Sequence, residues 1–138
     1  MNFMTALTDA YIVVVEDDPN ALLVTMDLLR LNGAEYCYAS KSVDAALAYA
    51  EKLPQVDLFL VDINMPGKSG FELLTAVQAN PRLRSARVVA ITAGTFAEDV
   101  EKARQAGFHG FISKPLKTTV FGSQLQRILA GEAVWDWR

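Results

Sequence analysis

Short apolar segments alternate along the chain with longer amphipathic segments. The apolar segments predict five β-strands, at residues 11–15, 35–39, 56–61, 87–92 and 108–113. Several are apolar almost throughout, which is typical of central parallel strands covered on both faces. Each is followed by apolar residues at helical spacing, as with Leu22, Met26 and Leu29 after the first strand. The pattern therefore predicts five successive β–α units.

Signals for helix ends support this division. Asp18 followed by Pro19 predicts the start of the first helix, because an acidic side chain caps free backbone N–H groups and proline suits the first turn. Gly33 stands where a left-handed residue would end that helix. Thr95 and Glu98 form a capping-box pattern before the fourth helix. The predicted fold is an α/β domain with a doubly wound parallel sheet and five helices. Ligands of such sheets bind beyond the carboxyl ends of the strands.

Composition narrows the function classes. The 138 residues are 51% hydrophobic and 21% charged, as in a globular domain. A net charge of −3 without a basic run gives no footprint for direct binding of nucleic acid or an anionic membrane. Apolar runs are too short for a bilayer span, and no signal peptide is evident, so we expect a cytoplasmic protein. A single cysteine, Cys37, and a single histidine, His109, argue against clustered Cys or His metal sites.

We expect a short leader at 1–9, one domain at 10–130 and a tail at 131–138. The tail holds both tryptophans, Trp135 and Trp137. We expect them to fold back on the domain's own surface. The alternative is a contact with a partner or a homodimer, since exposed aromatic rings anchor interfaces.

Acidic residues follow two of the predicted strands. Glu16, Asp17 and Asp18 end the first strand, and Asp62 ends the third. We expect these two strands to be neighbours, which would crowd four carboxylates at one sheet edge. A hard divalent cation would relieve their repulsion, and Mg²⁺ suits oxygen ligands and retained waters. For Asp18 we favour a simple helix cap, whereas for Asp17 with Asp62 we favour a metal site.

Polar residues also end the last two strands. The fourth predicted strand ends at Thr92, whose hydroxyl can bond an anionic oxygen, and the fifth is followed by Lys114 and Pro115. A lysine beside the carboxylates would offset their charge and could hold a phosphoryl oxygen. The sequence leaves open whether the bond before Pro115 is cis.

Together these segments resemble the receiver domain of two-component response regulators, in particular single-domain, chemotaxis-regulator-like receivers. The resemblance runs from about residue 11 to 129. It rests on Val-Val-Glu-Asp-Asp-Pro at 14–19, Val-Asp-Ile-Asn-Met-Pro-Gly-Lys-Ser-Gly at 61–70, Ile-Thr-Ala at 91–93 and Ser-Lys-Pro at 113–115. It implies a flavodoxin-like five-stranded sheet in the order 2-1-3-4-5.

The resemblance also implies roles for the acidic residues. Asp62 would be the phosphoacceptor, taking a phosphoryl group from a phosphohistidine of a histidine kinase or histidine phosphotransfer protein. Asp17 and Asp62 would bind Mg²⁺, with Mn²⁺ as the alternative ion. The backbone carbonyl of Asn64 would supply another ligand, and Glu16 would act directly or through a bound water.

The remaining roles concern the phosphoryl group and the response to it. Lys114 would bridge to Asp62 or to the phosphoryl group, and Thr92 would hydrogen-bond that group once it arrives. Thr92 and Phe111 would then form the switch, with Phe111 turning inward as Thr92 moves. The face made by the fourth helix, fifth strand and fifth helix would change and contact a downstream protein. A static, core-packing Phe111 is the alternative.

The resulting hypothesis is a phosphorylation-dependent signalling module, a stand-alone receiver rather than an enzyme in the usual sense. One rival is a phosphorylation-independent adaptor with the same fold. Against it, the residues that a switch needs are all present: Asp17, Asp62, Thr92 and Lys114. The other rival is a magnesium-dependent phosphatase with an aspartate nucleophile. That class typically needs an acid two residues after the nucleophile, where this chain has Asn64.

Overall fold

The computed structural model describes residues 6–93 and 97–136. Within them, strands and helices alternate from the first element to the last. The strands are β1 (Tyr11–Val15), β2 (Tyr36–Ser40), β3 (Leu58–Val61), β4 (Arg87–Thr92), β5 (Gly110–Ser113) and β6 (Val134–Asp136). The helices are α1 (Pro19–Leu31), α2 (Val43–Lys52), α3 (Gly70–Ala79), α4 (Ala97–Ala106) and α5 (Phe121–Leu129).

All strands pair in parallel, in the order β2-β1-β3-β4-β5-β6. The predicted fold class and the order 2-1-3-4-5 are confirmed, and β6 extends the sheet by one strand. β1 and β3 are neighbours, as predicted from the acidic residues at their ends. Three of the predicted strands, β2, β3 and β5, begin one or two residues later in the structure.

Each face of the sheet is covered by helices. Apolar residues of α2, α3 and α4 pack on one face, and those of α1 and α5 pack on the other. β3 is buried along its whole length, which explains its continuous apolar sequence. Among the described residues, no helix combines the length and apolar character needed to cross a bilayer.

The late start of β5 is explained by His109. Its Nδ1 atom accepts a hydrogen bond of 2.9 Å from the backbone N–H of Val88, so a side chain bonds the neighbouring strand at this point. Burial lowers the pKa of His109, and the positive charge of Arg87 lowers it further. His109 thus contributes to the structure as a neutral hydrogen-bond acceptor, away from the carboxyl ends of the strands.

The segment predicted to be a tail folds back on the domain. Val134 is buried, and Trp135 packs against the apolar cluster beneath α4. The expectation that the tail packs on its own domain is therefore met for Trp135. Trp137 lies outside the described residues, as does Thr95 of the capping box predicted before α4.

Candidate functional site

The first group of acids follows β1, at the carboxyl end of the sheet. Glu16 is buried, with 4% of its surface exposed, whereas Asp17 and Asp18 are exposed. Asp18 caps α1, where its carboxylate accepts hydrogen bonds from the backbone N–H groups of Asn20 and Ala21. The interpretation of Asp18 as a helix cap is confirmed, and the carboxylate of Glu16 accepts a hydrogen bond of 3.3 Å from the backbone N–H of Asp18.

Asp62 is brought to these acids by the pairing of β1 with β3. The backbone N–H of Asp62 donates to the carbonyl of Val15 at 3.1 Å, which places Asp62 beside the residues that follow β1. One carboxylate oxygen each from Glu16, Asp17 and Asp62 lies within 4.8 Å of the others. An all-oxygen, carboxylate-rich donor set of this kind fits a hard cation such as Mg²⁺.

Lys114 stands between the acids of β1 and β3. Its Nζ atom donates to Glu16 and lies 3.3 Å from Oδ2 of Asp62. The Lys114 side chain is 19% exposed, so this ion pair is largely removed from water. The predicted bridge from Lys114 to Asp62 is present, and Glu16 is a second partner. The Lys114–Pro115 peptide bond is cis.

Burial and charge have opposite effects on the pKa of Glu16 and on the pKa of Lys114. Burial raises the pKa of Glu16, and the hydrogen bonds from Lys114 and from the backbone N–H of Asp18 only partly offset this. Burial would lower the pKa of Lys114, but the hydrogen bond with Glu16 and the charge of Asp62 outweigh it, and the pKa is raised. Lys114 therefore stays charged and neutralises part of the acidic cluster.

Asn64 connects the carboxylate of Asp62 to Thr92. Its backbone N–H donates to Oδ1 of Asp62 at 2.8 Å, and its side-chain Nδ2 donates to Oγ1 of Thr92 at 3.0 Å. Thr92 is buried at the end of β4. Sequence reasoning gave Asn64 a role through its backbone carbonyl alone and missed the side-chain bond. The amide two residues after Asp62 was the one available signal.

Phe111 lies deeper in the sheet, on β5, next to Ala90 of β4 and Trp135 of β6 in the strand register. It is fully buried in the apolar cluster on the α2–α4 face. Thr92 pairs with Ser113 on the same two strands, two residues beyond the Ala90–Phe111 pair.

Known proteins with similar sequences include response regulators. The family model of the response regulator receiver domain matches residues 12–126 of this chain. The polar-differentiation response regulator DivK of Brucella anthropi is 32% identical over 110 residues, which cover 80% of this chain and 88% of DivK.

Solved structures of response regulators and receiver domains have the same fold as this chain. The chemotaxis response regulator CheY4 of Vibrio cholerae superposes with a TM-score of 0.77 at 26% identity, covering 86% of this chain and 98% of CheY4. A sensor histidine kinase receiver domain from Pseudomonas aeruginosa, solved with a magnesium ion in its active-site cleft, gives 0.76 at 25% identity and covers 89% and 98%. The fold, the site at the strand ends and these similarities together show that the chain belongs to the response regulator receiver domain family.

Proposed function

We propose that this protein is a phosphorylation-dependent signalling switch with Asp62 as its phosphoacceptor. The convergence of Glu16, Asp17, Asp62 and Lys114 at one sheet edge is the observation that carries the proposal. A carboxylate oxygen of Asp62 attacks the phosphorus of a phosphohistidine on a partner protein. The P–N bond breaks, the histidine leaves, and an acyl phosphate remains on Asp62.

The residues present fit a bound Mg²⁺ ion, or Mn²⁺ in its place. Asp17, Asp62 and the backbone carbonyl of Asn64 would hold the ion, and Glu16 would do so directly or through water. The ion would neutralise the phosphoryl oxygens, because phosphoryl transfer depends chiefly on positioning and charge stabilisation. The magnesium-bound Pseudomonas receiver domain supports this assignment by similarity.

Lys114 and Thr92 act on the transferred group itself. Lys114 already lies 3.3 Å from Asp62, so its ammonium can follow the negative charge onto the phosphoryl oxygens. Thr92 accepts a hydrogen bond from Asn64 and donates a long one, 3.4 Å, to the carbonyl of Ala93, which it would exchange for a bond to a phosphoryl oxygen. This exchange of partners by Thr92 would start the response that reaches Phe111 and the α4–β5–α5 face, where a downstream protein would bind.

The phosphodonor docks beside the site, along α1. A groove of about 400 Å³ lies between α1 and the segment after β5, with Lys114 and Pro115 on its wall. Val24 lines this groove and is 52% exposed, and the adjacent Leu23 is 59% exposed, so α1 offers neighbouring apolar side chains to a partner. A phosphohistidine must reach Asp62 over this rim, so we assign the groove and α1 to a histidine kinase or phosphotransfer protein.

Receiver domains are signalling modules, and we place this one in the cytoplasm, where kinases transmit such signals. Two rivals fit less well. An adaptor that ignores phosphate has no use for a charged lysine held against two carboxylates. A magnesium-dependent phosphatase would need an acid in place of Asn64, whose side chain instead bonds Thr92.

The test is intact-mass analysis after incubation with acetyl phosphate, with and without Mg²⁺. We expect an acid-labile phosphoryl adduct on wild type with Mg²⁺ and no adduct on Asp62→Asn. Asp18→Asn is the matched control and should still form the adduct, because Asp18 caps α1. An adduct that survives in Asp62→Asn would identify a different acceptor. If folded wild type formed no adduct, the reaction would be repeated with a cognate kinase as the donor. No adduct in that reaction would favour the adaptor.

A further inference from the structure

The β5 edge, which belongs to the α4–β5–α5 face, is occupied by the chain's own β6. The pairing covers three positions, from Gly110 opposite Val134 to Ile112 opposite Asp136. Gly110 permits this approach: a Cβ atom there would lie 2.5 Å from the carbonyl oxygen of Val134. Position 110 therefore accommodates a strand beside β5.

Each residue of β6 meets a different chemical environment. Val134 is buried. The ring of Trp135 lies under the guanidinium of Arg104 on α4, 4.2 Å from ring centroid to Cζ. The carboxylate of Asp136 accepts a hydrogen bond of 2.8 Å from Gln124 on α5. The surface thus receives an apolar side chain, an aromatic ring and a carboxylate in succession.

Space and positive charge continue beyond the strand. A cavity of about 620 Å³ adjoins Trp135 and Asp136 between β5 and α5. Lys117 and Arg127 lie on its wall, and both are exposed; Arg127 pairs with Glu132 of the segment before β6 at 3.5 Å, so this wall already binds an acidic side chain. Such a cavity suits a longer extended segment with additional acidic residues.

We propose that the β5 edge is a strand-docking groove, that β6 is its internal occupant, and that the groove accepts from a partner protein an extended segment with an apolar, an aromatic and an acidic residue in succession. Addition of a strand to a free sheet edge is a common mode of peptide recognition. β6 is suited to displacement because it is three residues long and Asp136 is exposed. This proposal rests on the proposed function for the location of the partner surface, the α4–β5–α5 face, but peptide binding at the β5 edge is measured without phosphoryl transfer, so either can fail alone.

The probe is a fluorescein-labelled peptide with the sequence of residues 132–138, Glu-Ala-Val-Trp-Asp-Trp-Arg. In wild type the tethered β6 competes at high effective concentration, so we expect weak binding of the peptide. Val134→Asp in the full chain places a charge at the buried position and should free the groove. Its affinity for the peptide should be at least tenfold above that of wild type.

Ala133→Asp is the matched control, because Ala133 is exposed and the same charge there leaves β6 in place. It should bind the peptide as weakly as wild type. Adding Gly110→Ala to Val134→Asp should abolish binding, since the new Cβ would meet the docked backbone. A peptide with lysine in place of its aspartate should bind less tightly.

Circular dichroism would establish that each variant is folded. If Val134→Asp does not fold, Trp135→Ser serves instead, because it removes the contact with Arg104 and leaves Val134 in place. Equal peptide affinity of the folded freed variant and Ala133→Asp would overturn the proposal. Binding that survives Gly110→Ala would do the same, since the peptide would then lie elsewhere.

Discussion

Replacement of Lys114 by methionine should reveal how strongly the acidic cluster depends on its internal cation. Lys114→Met keeps an apolar stem of similar length and removes the ammonium group. Glu16, whose side chain is 5% exposed, then loses its hydrogen-bond partner while Asp62 remains beside it. The variant therefore holds two neighbouring carboxylates without the charge that joined them.

The size of the loss in folding stability follows from the burial of the Lys114–Glu16 ion pair. Breaking a buried ion pair by removing one partner costs about 3–5 kcal/mol, and the 19% exposure of Lys114 places this case at the lower end, about 3 kcal/mol. For a domain of this size, that loss corresponds to a fall in Tm of roughly 10 °C. Lys117→Met, three residues along and exposed, should change the free energy of unfolding by about 0.5 kcal/mol or less.

Urea unfolding at several pH values would test the reasoning. Because burial raises the pKa of Glu16 above its ordinary value of 4.5, its carboxyl takes up a proton in the folded state before it does in the unfolded state. The loss in free energy of unfolding caused by Lys114→Met should thus be largest at pH values above the raised pKa of Glu16. It should become smaller as the pH falls through that pKa. Added Mg²⁺ should stabilise the variant more than wild type, since it supplies the missing positive charge.

Two results would refute this account. One is a Lys114→Met protein within about 0.5 kcal/mol of wild type at neutral pH, a difference typical of an exposed surface position. The other is a penalty that is independent of pH and of Mg²⁺, which would indicate lost packing rather than unpaired charge.

Three further predictions concern the core and the loop that follows Asp62, the proposed phosphoacceptor. Phe111→Ala should lower the free energy of unfolding by about 3–5 kcal/mol in urea titrations, because the ring is fully buried and its removal leaves a cavity. Gly70→Ala should lower Tm and slow formation of the acyl phosphate, because the new Cβ would lie 2.8 Å from Cγ2 of Ile63, next to the acceptor. The pKa of His109 is lowered from its ordinary 6.5 by burial, so the unfolded state binds the proton more readily; stability should be full above pH 6.5 and fall as the pH drops below it. His109→Gln, compared with wild type by urea unfolding at pH 7.5 and 5.5, should show a smaller fall.

Each of these has a distinct contrary outcome. If Phe111→Ala lowered the free energy of unfolding by less than about 1 kcal/mol, neighbouring side chains would have closed the space left by the ring. Unchanged Tm and phosphorylation rate in Gly70→Ala would mean that the loop moves freely. Equal pH dependence in wild type and His109→Gln would assign the titration to other groups.

The local pattern of the chain determined much of the fold. Apolar strands alternating with amphipathic helices can bury their faces only in a layered α/β sheet, and the residues at the strand ends then meet at one edge. For this reason the cluster of Glu16, Asp17, Asp62 and Lys114 was predictable from residue types and order. The strand bounds were less well predicted, because side chains enter the hydrogen bonding at strand ends: at His109 the backbone N–H bonds Val88, but the ring, not a backbone carbonyl, accepts from the N–H of Val88.

Contacts between distant segments were decided only by the tertiary structure. The bond from the Asn64 side chain to Thr92 joins residues 28 positions apart, and no local pattern records it. Lys114 was expected to contact Asp62, but its bond with Glu16 depends on how β1, β3 and β5 end in space.

The sixth strand shows the same limit most clearly. Three residues, Val134–Asp136, are too few for a recognisable strand pattern, and they pair because Gly110 leaves room for them. The sequence by itself determined the fold class and the acidic site, since both follow from local periodicity and strand order. What covers the β5 edge was decided by steric fit between segments far apart in the chain.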